Sequence, residues 1–122
     1  MAHTVVHFEI PANDPEQLAD FYRRLFDWNI EKAPGMDYWL LNTVDEGQPG
    51  ANGGMMKRQN PQQSPLNYYG VESVEEFSRK VQSLGGTVVV PKQAVPQTGY
   101  FVICLDPDGN QFAPFEDDRN AA

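Results

Sequence analysis

The sequence is poor in cysteine, in basic residues and in long apolar runs, and each shortage excludes a class of protein. Cys104 is the only cysteine, so neither an internal disulfide nor a cysteine-based metal site can form. Nine basic residues stand against seventeen acidic ones, and this net charge of −8 argues against nucleic-acid binding, which needs clustered Lys and Arg. No apolar run approaches the roughly 20 residues that span a bilayer, and residues 1–4 lack the basic start of a secretion signal. We therefore expect a cytoplasmic protein without nucleic-acid or membrane partners.

The residues that are present suit one globular domain. The chain has 122 residues, of which 40% are hydrophobic, and its aromatic residues comprise seven Phe, five Tyr and two Trp. A chain of this length and composition can bury an ordinary core but cannot hold two full-sized domains.

The first half of the sequence predicts a strand, a helix and three further strands. Residues 4–10 are rich in β-branched and aromatic side chains, and the two-residue period of a strand places His7 and Glu9 on one face. Val6, Phe8 and Ile10 then lie on the other face, which we expect to pack against the helix that follows. Asp14 is a good N-cap for that helix, and Pro15 suits its first position. Further strands are predicted at 28–32, 38–44 and 52–57.

After a polar connector, residues 58–65, the same order of elements begins again. Ser73 followed by Glu76 forms a capping box for a second helix, which Gly85–Gly86 ends. Strands are predicted at 67–71, 87–90, 99–105 and 111–115, with a turn at 106–109 and a frayed tail at 119–122.

The two halves superpose when the first is shifted by 59 residues. Under this shift Asp14 falls on Ser73, and both are helix caps, while Gly50 falls on Gly109 in a turn. Such agreement indicates a duplicated unit rather than a solenoid. We therefore predict an α+β fold in which two βαβββ modules form one curved sheet cup around a small molecule. The single domain, 1–122, comprises a first half at 4–57, the connector, a second half at 66–116 and a tail at 117–122.

Three segments carry a resemblance to a known family: HFEIPANDPEQLADFYRRLFDW, GGMM and DPDGNQF. Together with the repeat, they resemble the vicinal oxygen chelate superfamily, which includes glyoxalase I, bleomycin-resistance proteins, fosfomycin-resistance enzymes and extradiol dioxygenases. The resemblance covers residues 5–116 and is strongest to short, single-domain glyoxalase-like proteins. It implies a homodimer, and it implies a divalent metal held by His, Glu or Gln at four equivalent strand positions. That metal chelates two adjacent substrate oxygens and stabilises an anionic intermediate.

The four positions that the resemblance implies are His7, Gly54, Leu66 and Ala113, and only the histidine has a donor side chain. A single imidazole holds a divalent ion weakly, so we expect no metal and no other cofactor. An error of one or two residues in this alignment would change the expectation. In that case the residues that could restore a divalent metal site are His3, Glu9, Asn67 and Glu116.

His7 and Glu9 are the candidate catalytic residues, as a general base and its neighbouring carboxylate, which would favour the imidazolium form. Both are also candidate ligand-binding residues. The other candidates for the ligand-binding face of the cup are Trp39, Gly54, Tyr68, Tyr100, Gln111, Ala113 and Phe115. The missing side chain at Gly54 would relieve crowding where the sheet bends, enlarge the cup, or do both. Stacked aromatic residues with one carboxylate suit a planar organic ligand, with a cation as one option.

Three functional hypotheses follow from these residues. The preferred one is a metal-free protein that binds a small organic molecule in the cup, as bleomycin-resistance proteins bind without chemistry. The alternative is a glyoxalase-related lyase or isomerase, which would use His7 and Glu9 without a metal, or a divalent metal if the alignment is shifted. The third is a structural or accessory subunit with a collapsed cup.

Overall fold

The computed structural model describes residues 2–122, which divide into two compact units. We call residues 7–66 the N-terminal unit, and residues 67–122 together with residues 2–6 the C-terminal unit. The elements in chain order are β1 (Val5–Ala12), α1 (Pro15–Phe26), β2 (Asn29–Lys32), β3 (Tyr38–Asn42), β4 (Gly53–Lys57), β5 (Leu66–Gly70), α2 (Val74–Ser83), β6 (Thr87–Val95), β7 (Gly99–Leu105) and β8 (Gln111–Asp117). This order confirms two βαβββ modules of the α+β class.

In the N-terminal unit the strands lie in the order β2-β3-β4-β1. Strand β1 runs parallel to β4, while β3 is antiparallel to both of its neighbours. Helix α1 begins as predicted, because the Asp14 side chain accepts a hydrogen bond from the backbone N–H of Gln17 at 3.2 Å. The helix packs through buried Ala19 onto a core of strand residues, among them Ile30, Trp39, Leu41 and Met55.

In the C-terminal unit the strands lie in the order β5-β8-β7-β6, with β5 parallel to β8. Ser73 caps α2 by accepting from the backbone N–H of Glu76, and Gly85 follows the helix at a φ of +95°, a conformation that favours glycine. The core beneath α2 is formed by Val71, Val74, Val102 and Cys104.

Strand pairing confirms the internal repeat at the level of single residues. Glu9 lies opposite Gly54 in the β1–β4 pair, and Tyr68 lies opposite Ala113 in the β5–β8 pair. These two pairs are related by the same 59-residue shift. The 59-residue shift that relates the four family positions is therefore consistent with the observed register.

Three details differ from the prediction. Strand β6 continues to Val95 through Pro91, since it is the edge strand and its pairing with β7 contains register shifts, where proline is tolerated. Phe8 and Ile10 pack on the core beneath α1 as predicted, but Val6 is not part of that core and is 45% exposed. The end of the chain is not frayed: Ala121 is buried, and its carbonyl accepts from the backbone N–H of Gln97 at 3.0 Å.

Neither helix in residues 2–122 is long and apolar enough to cross a membrane.

Candidate functional site

Strand alternation divides the sheet of the N-terminal unit into a face that packs on α1 and a face that we call the open face. Phe8 and Ile10 pack against the core beneath α1, so His7 and Glu9 point to the open face, as predicted. Residues paired across neighbouring strands share a face, and the pairs of Glu9 with Gly54, Gly54 with Leu40, and Tyr38 with Met56 extend this assignment. The open face therefore carries His7, Glu9, Tyr38, Leu40, Gly54 and Met56.

The hydroxyl group of Tyr38 joins the two predicted catalytic candidates. It lies 2.7 Å from His7 Nε2, and it donates a hydrogen bond to Glu9 Oε2 at 2.9 Å. An ionised carboxylate can only accept, so the phenolic proton goes to Glu9 and the imidazole must donate to the phenolic oxygen. This assignment places the ring proton of His7 on Nε2. The imidazole and phenol rings also stack, with centroids 6.4 Å apart and planes 15° apart.

Gly54 makes this arrangement possible. A Cβ atom on this residue would lie 1.7 Å from the Tyr38 hydroxyl oxygen, far inside any allowed contact. The expectation that Gly54 enlarges a cup is therefore wrong, since the phenol of Tyr38 occupies the space that the missing side chain leaves.

Burial lowers the pKa of the His7 imidazole below its ordinary value of 6.5, and the nearby Glu9 carboxylate opposes this shift only in part. The carboxylate thus favours the imidazolium form, as predicted, but its effect is smaller than that of burial. The loss of hydration outweighs the attraction, and His7 is an uncharged hydrogen-bonding group at neutral pH.

The residues at the four family metal positions do not fit a metal ion. Gly54 offers no donor, and the Tyr38 phenol fills its space. Leu66 and Ala113 are buried apolar residues, with exposures of 7% and 0%. A divalent ion needs several oxygen, nitrogen or sulfur donors in defined geometry, which a lone imidazole does not supply.

A shifted alignment of the sequence with the family would place other residues at the metal site, and the structure gives those residues other surroundings. The His3 imidazole lies 3.0 Å from the carboxylate oxygens of Glu72, on the surface of the C-terminal unit. Glu116 lies opposite Tyr100 in the β7–β8 strand pair, and its side chain accepts a hydrogen bond from the backbone N–H of Val74 at the start of α2. Asn67 is exposed and adjoins buried Leu66 in β5.

The C-terminal unit also has an open face, opposite α2, but its chemistry is aromatic. The ring of Tyr68 meets Phe101 and Phe115 edge to face, with centroid distances of 5.9 and 6.4 Å. Ala113 pairs with Tyr68 on this face, and Gln111 is exposed at the start of the same strand. Phe101 was not among the predicted site residues.

Two predicted ligand-binding residues lie on the wrong side of their sheets. Trp39 belongs to the core beneath α1, where its indole Nε1 donates to Glu16 Oε2 at 2.5 Å. Tyr100 packs on the core beneath α2, and the ammonium group of Lys92 lies 4.3 Å from its ring centroid. Their immediate neighbours Tyr38 and Phe101 occupy the open faces instead.

An open depression of about 580 Å³ lies away from these residues, around the start of the connector. It is lined by Asn13, Arg58, Gln59, Asn60 and Pro61. The Arg58 guanidinium binds the Asn13 side chain at 3.0 Å and the backbone carbonyl of Gln63. This arginine therefore fastens the connector to the end of β1, and the depression holds no acid, base or nucleophile.

Several solved structures share the fold of this chain at low sequence identity. A superfamily member from Vibrio splendidus 12B01, described as a glyoxalase/bleomycin resistance protein/dioxygenase, is 14% identical with a TM-score of 0.67, and the match covers 96% of this chain and 100% of that one. A methylmalonyl-CoA epimerase of Streptomyces coelicolor, in complex with 2-nitronate-propionyl-CoA, is 11% identical with a TM-score of 0.69, covering 100% and 99%. A protein described as the NAD-dependent benzaldehyde dehydrogenase of Legionella pneumophila is 18% identical with a TM-score of 0.65, covering 92% and 98%.

At these identities the likeness shows the fold alone, and the different descriptions of the neighbours illustrate that fold does not fix activity. No protein among the curated sequences matches this chain. The sequence model of one family matches residues 4–113, which is most of the chain. The two βαβββ modules and this match agree, and the chain belongs to the Glyoxalase/Bleomycin resistance protein/Dioxygenase superfamily.

Proposed function

We propose that this protein binds a small organic molecule on the open face of the N-terminal unit without a resident metal ion. The observation that supports this most directly is the position of the Tyr38 hydroxyl, which lies between His7 and Glu9 in the space above Gly54. A metal ligand from β4 would need that space. The open face thus offers hydrogen-bonding groups where related enzymes would offer a Lewis acid.

The composition of the open face suits a ligand with both polar and apolar parts. Leu40 is 40% exposed and Met56 is partly buried, and both adjoin the hydrogen-bonded side chains. Binding sites for small molecules are mostly apolar and use a few fixed polar groups to orient the ligand. The two hydrogen bonds to Tyr38 hold such polar groups in place before a ligand arrives.

Two measurements test the proposal. Elemental analysis of purified protein after dialysis is expected to find far less than one metal ion per chain, and a chelator should leave the thermal midpoint unchanged. A nuclear magnetic resonance screen of neutral, cationic and anionic aromatic fragments should shift the amide signals of β1 and β3. One tightly held equivalent of Ni, Zn, Mn or Fe would contradict the proposal, and a face that binds no fragment would favour an accessory subunit instead.

The uncharged imidazole of His7 supports a second candidate, a lyase or isomerase that works without a metal. A general base is effective when it is unprotonated at the working pH, and burial keeps His7 in that form. The test is turnover of methylglyoxal hemithioacetal and related substrates with adjacent oxygens, compared with the His7→Ala variant. Unchanged activity in that variant would remove His7 from the mechanism.

We also infer that the protein works in the cytoplasm as a homodimer. Its single cysteine, Cys104, is a buried free thiol, and burial raises its pKa. Such a thiol suits a reducing compartment. The homodimer follows from the resemblance to single-domain members of the superfamily, and α1 leaves the large apolar side chains of Phe21, Leu25 and Phe26 about half exposed.

A further inference from the structure

The charged side chains of the N-terminal sheet are sorted by face. Glu9 lies on the open face, and Glu31 joins it there because it pairs with Leu40. Both lysines of the strands lie on the other side. Lys32 pairs with Trp39 and lies 5.4 Å from its ring centroid, while Lys57 pairs with the buried core residue Ala12.

The strands of this unit, all of which lie in the described part of the chain, thus give the open face two carboxylates and neither Lys nor Arg. His7 adds no positive charge at neutral pH, because burial disfavours its imidazolium form. An anionic ligand beside Glu9 would approach a like charge, whereas a cation would approach an opposite one. Glu31 adds negative charge farther along the same face, on edge strand β2, with Leu40 and Gly54 between it and Glu9.

From this sorting we propose that the ligand of the open face is an organic cation, an amine or quaternary ammonium group attached to an apolar body. The inference rests on the proposed binding function and adds the class of ligand. Glu9 supplies the opposite charge, and exposed Leu40 with Met56 contacts the apolar body. A bare metal cation does not satisfy this face, since it would lack several donor groups.

Tyr38 and His7 act as positioning residues for the Glu9 carboxylate. The phenol donates to Oε2 at 2.9 Å and is itself held by the imidazole at 2.7 Å. A carboxylate offers about four acceptor sites, and a hydrogen bond from a neutral phenol leaves its negative charge in place. The hydrogen bond from Tyr38 therefore helps to orient the carboxylate without removing its negative charge.

Three probes of similar size test the inference: benzyltrimethylammonium, benzyl alcohol and benzoate. Each is titrated into the full chain while the amide signals of β1 and β3 are followed by nuclear magnetic resonance. We expect the ammonium probe to bind at least about tenfold more tightly than benzoate, a ratio that corresponds to roughly 1.4 kcal/mol. It should also bind more tightly than benzyl alcohol, and added NaCl should weaken the binding of the ammonium probe but not that of benzyl alcohol.

Variants assign this preference to named groups. Glu9→Gln keeps the shape of the side chain but removes its charge, and it should abolish the preference for the ammonium probe. The matched control is Glu46→Gln, which removes an exposed charge from a turn of the same unit and should keep the preference. Tyr38→Phe should weaken ammonium binding several-fold and leave benzyl alcohol binding unchanged, a split that a general loss of structure would not produce.

The outcomes separate the two proposals. Equal binding of all three probes, or tighter binding of benzoate, overturns the cation inference but leaves small-molecule binding in place. An ammonium preference that survives Glu9→Gln also overturns it. If no probe shifts the open-face amides the inference is overturned, while the fragment screen decides the proposed function. Should Glu9→Gln fail to fold, the salt dependence and the Tyr38→Phe split give the same decision.

Discussion

Tyr38 reaches across β4 because Gly54 has no side chain, and its hydroxyl then lies between two groups of β1. The phenol accepts from the His7 imidazole and donates to the Glu9 carboxylate, so each of these partly buried polar side chains has a hydrogen bond. Leaving such a group without a partner costs more than the bond itself contributes. The identity of one residue on β4 therefore controls the hydrogen bonding of two residues on β1.

The first prediction concerns this dependence on glycine. Gly54→Ala should destabilise the fold by about 1–3 kcal/mol, because the new methyl group meets the Tyr38 hydroxyl at 1.7 Å and forces it away. The same substitution in a Tyr38→Ala background should cost less, with a coupling free energy of about 1 kcal/mol or more. Urea unfolding of the four proteins measures both quantities. Additive costs in the double variant would show that the two residues do not depend on each other.

The second prediction concerns pH. The pKa of His7 is lower in the folded protein than the ordinary value of 6.5. As the pH falls below 6.5, His7 therefore becomes protonated in the unfolded chain before it does so in the folded protein. The free energy of unfolding should therefore decrease as the pH is lowered below 6.5. Above pH 6.5 the stabilisation that neutral His7 contributes is fully present. His7→Gln should remove this part of the pH dependence, and His3→Gln should keep it, as measured by urea unfolding at a series of pH values. Parallel pH profiles for wild type and His7→Gln would contradict the assigned pKa shift.

How far single residues of the site could be predicted depended on the local alternation of polar and apolar side chains. In β1 polar residues alternate with apolar ones, so His7 and Glu9 were assigned to the correct face. In β3 and β7 the residues around Trp39 and Tyr100 are apolar on both sides, and a two-residue period cannot then choose a face. The place of Tyr38 on the open face follows from its position opposite Met56 in the β3–β4 pair. That register depends on how the strands pair in three dimensions, so the sequence alone does not predict it.

Among the secondary-structure elements, α2 obtains one of its caps from a distant strand. Glu116 in β8 accepts from the backbone N–H of Val74 at 3.0 Å, and Ser73 accepts from the N–H of Glu76 at 3.2 Å. The first turn of a helix leaves N–H groups unpaired and carries a partial positive charge, so a carboxylate there is stabilising. The helix start was predictable from Ser73, but the contribution of Glu116 was not, since it depends on strand β8.

The third prediction tests this role for Glu116. Glu116→Ala should lower the free energy of unfolding by about 1 kcal/mol, while Glu116→Gln, which keeps an acceptor oxygen, should cost less. Asp117→Ala, at the exposed neighbouring position, is the control and should change stability by less than about 0.5 kcal/mol. Thermal and urea unfolding supply the values. A variant at Glu116 with unchanged stability would argue against the capping role.

At the scale of the whole molecule, the two modules keep the same backbone plan while their chemistry has diverged. The pair of Glu9 with Gly54 in one unit corresponds to the pair of Tyr68 with Ala113 in the other. Backbone pairing and helix caps follow local patterns that duplication preserves, which is why the fold was predictable. The open faces do not need identical side chains to fold, so one became polar and the other aromatic, and the identity of the ligand therefore does not follow from the shared fold.

The fourth prediction concerns assembly. We expect sedimentation equilibrium to show a dimer at micromolar concentrations, and α1 is the candidate contact surface because Phe21 and Leu25 are 53% and 54% exposed and lie one helical turn apart. Replacing both by Ser should shift the equilibrium toward monomer. Leu84→Ser is the matched control, since Leu84 is the repeat counterpart of Leu25 and is 75% exposed at the end of α2. A dimer that persists in the α1 variant would exclude this surface, and a monomeric wild type would exclude the homodimer itself.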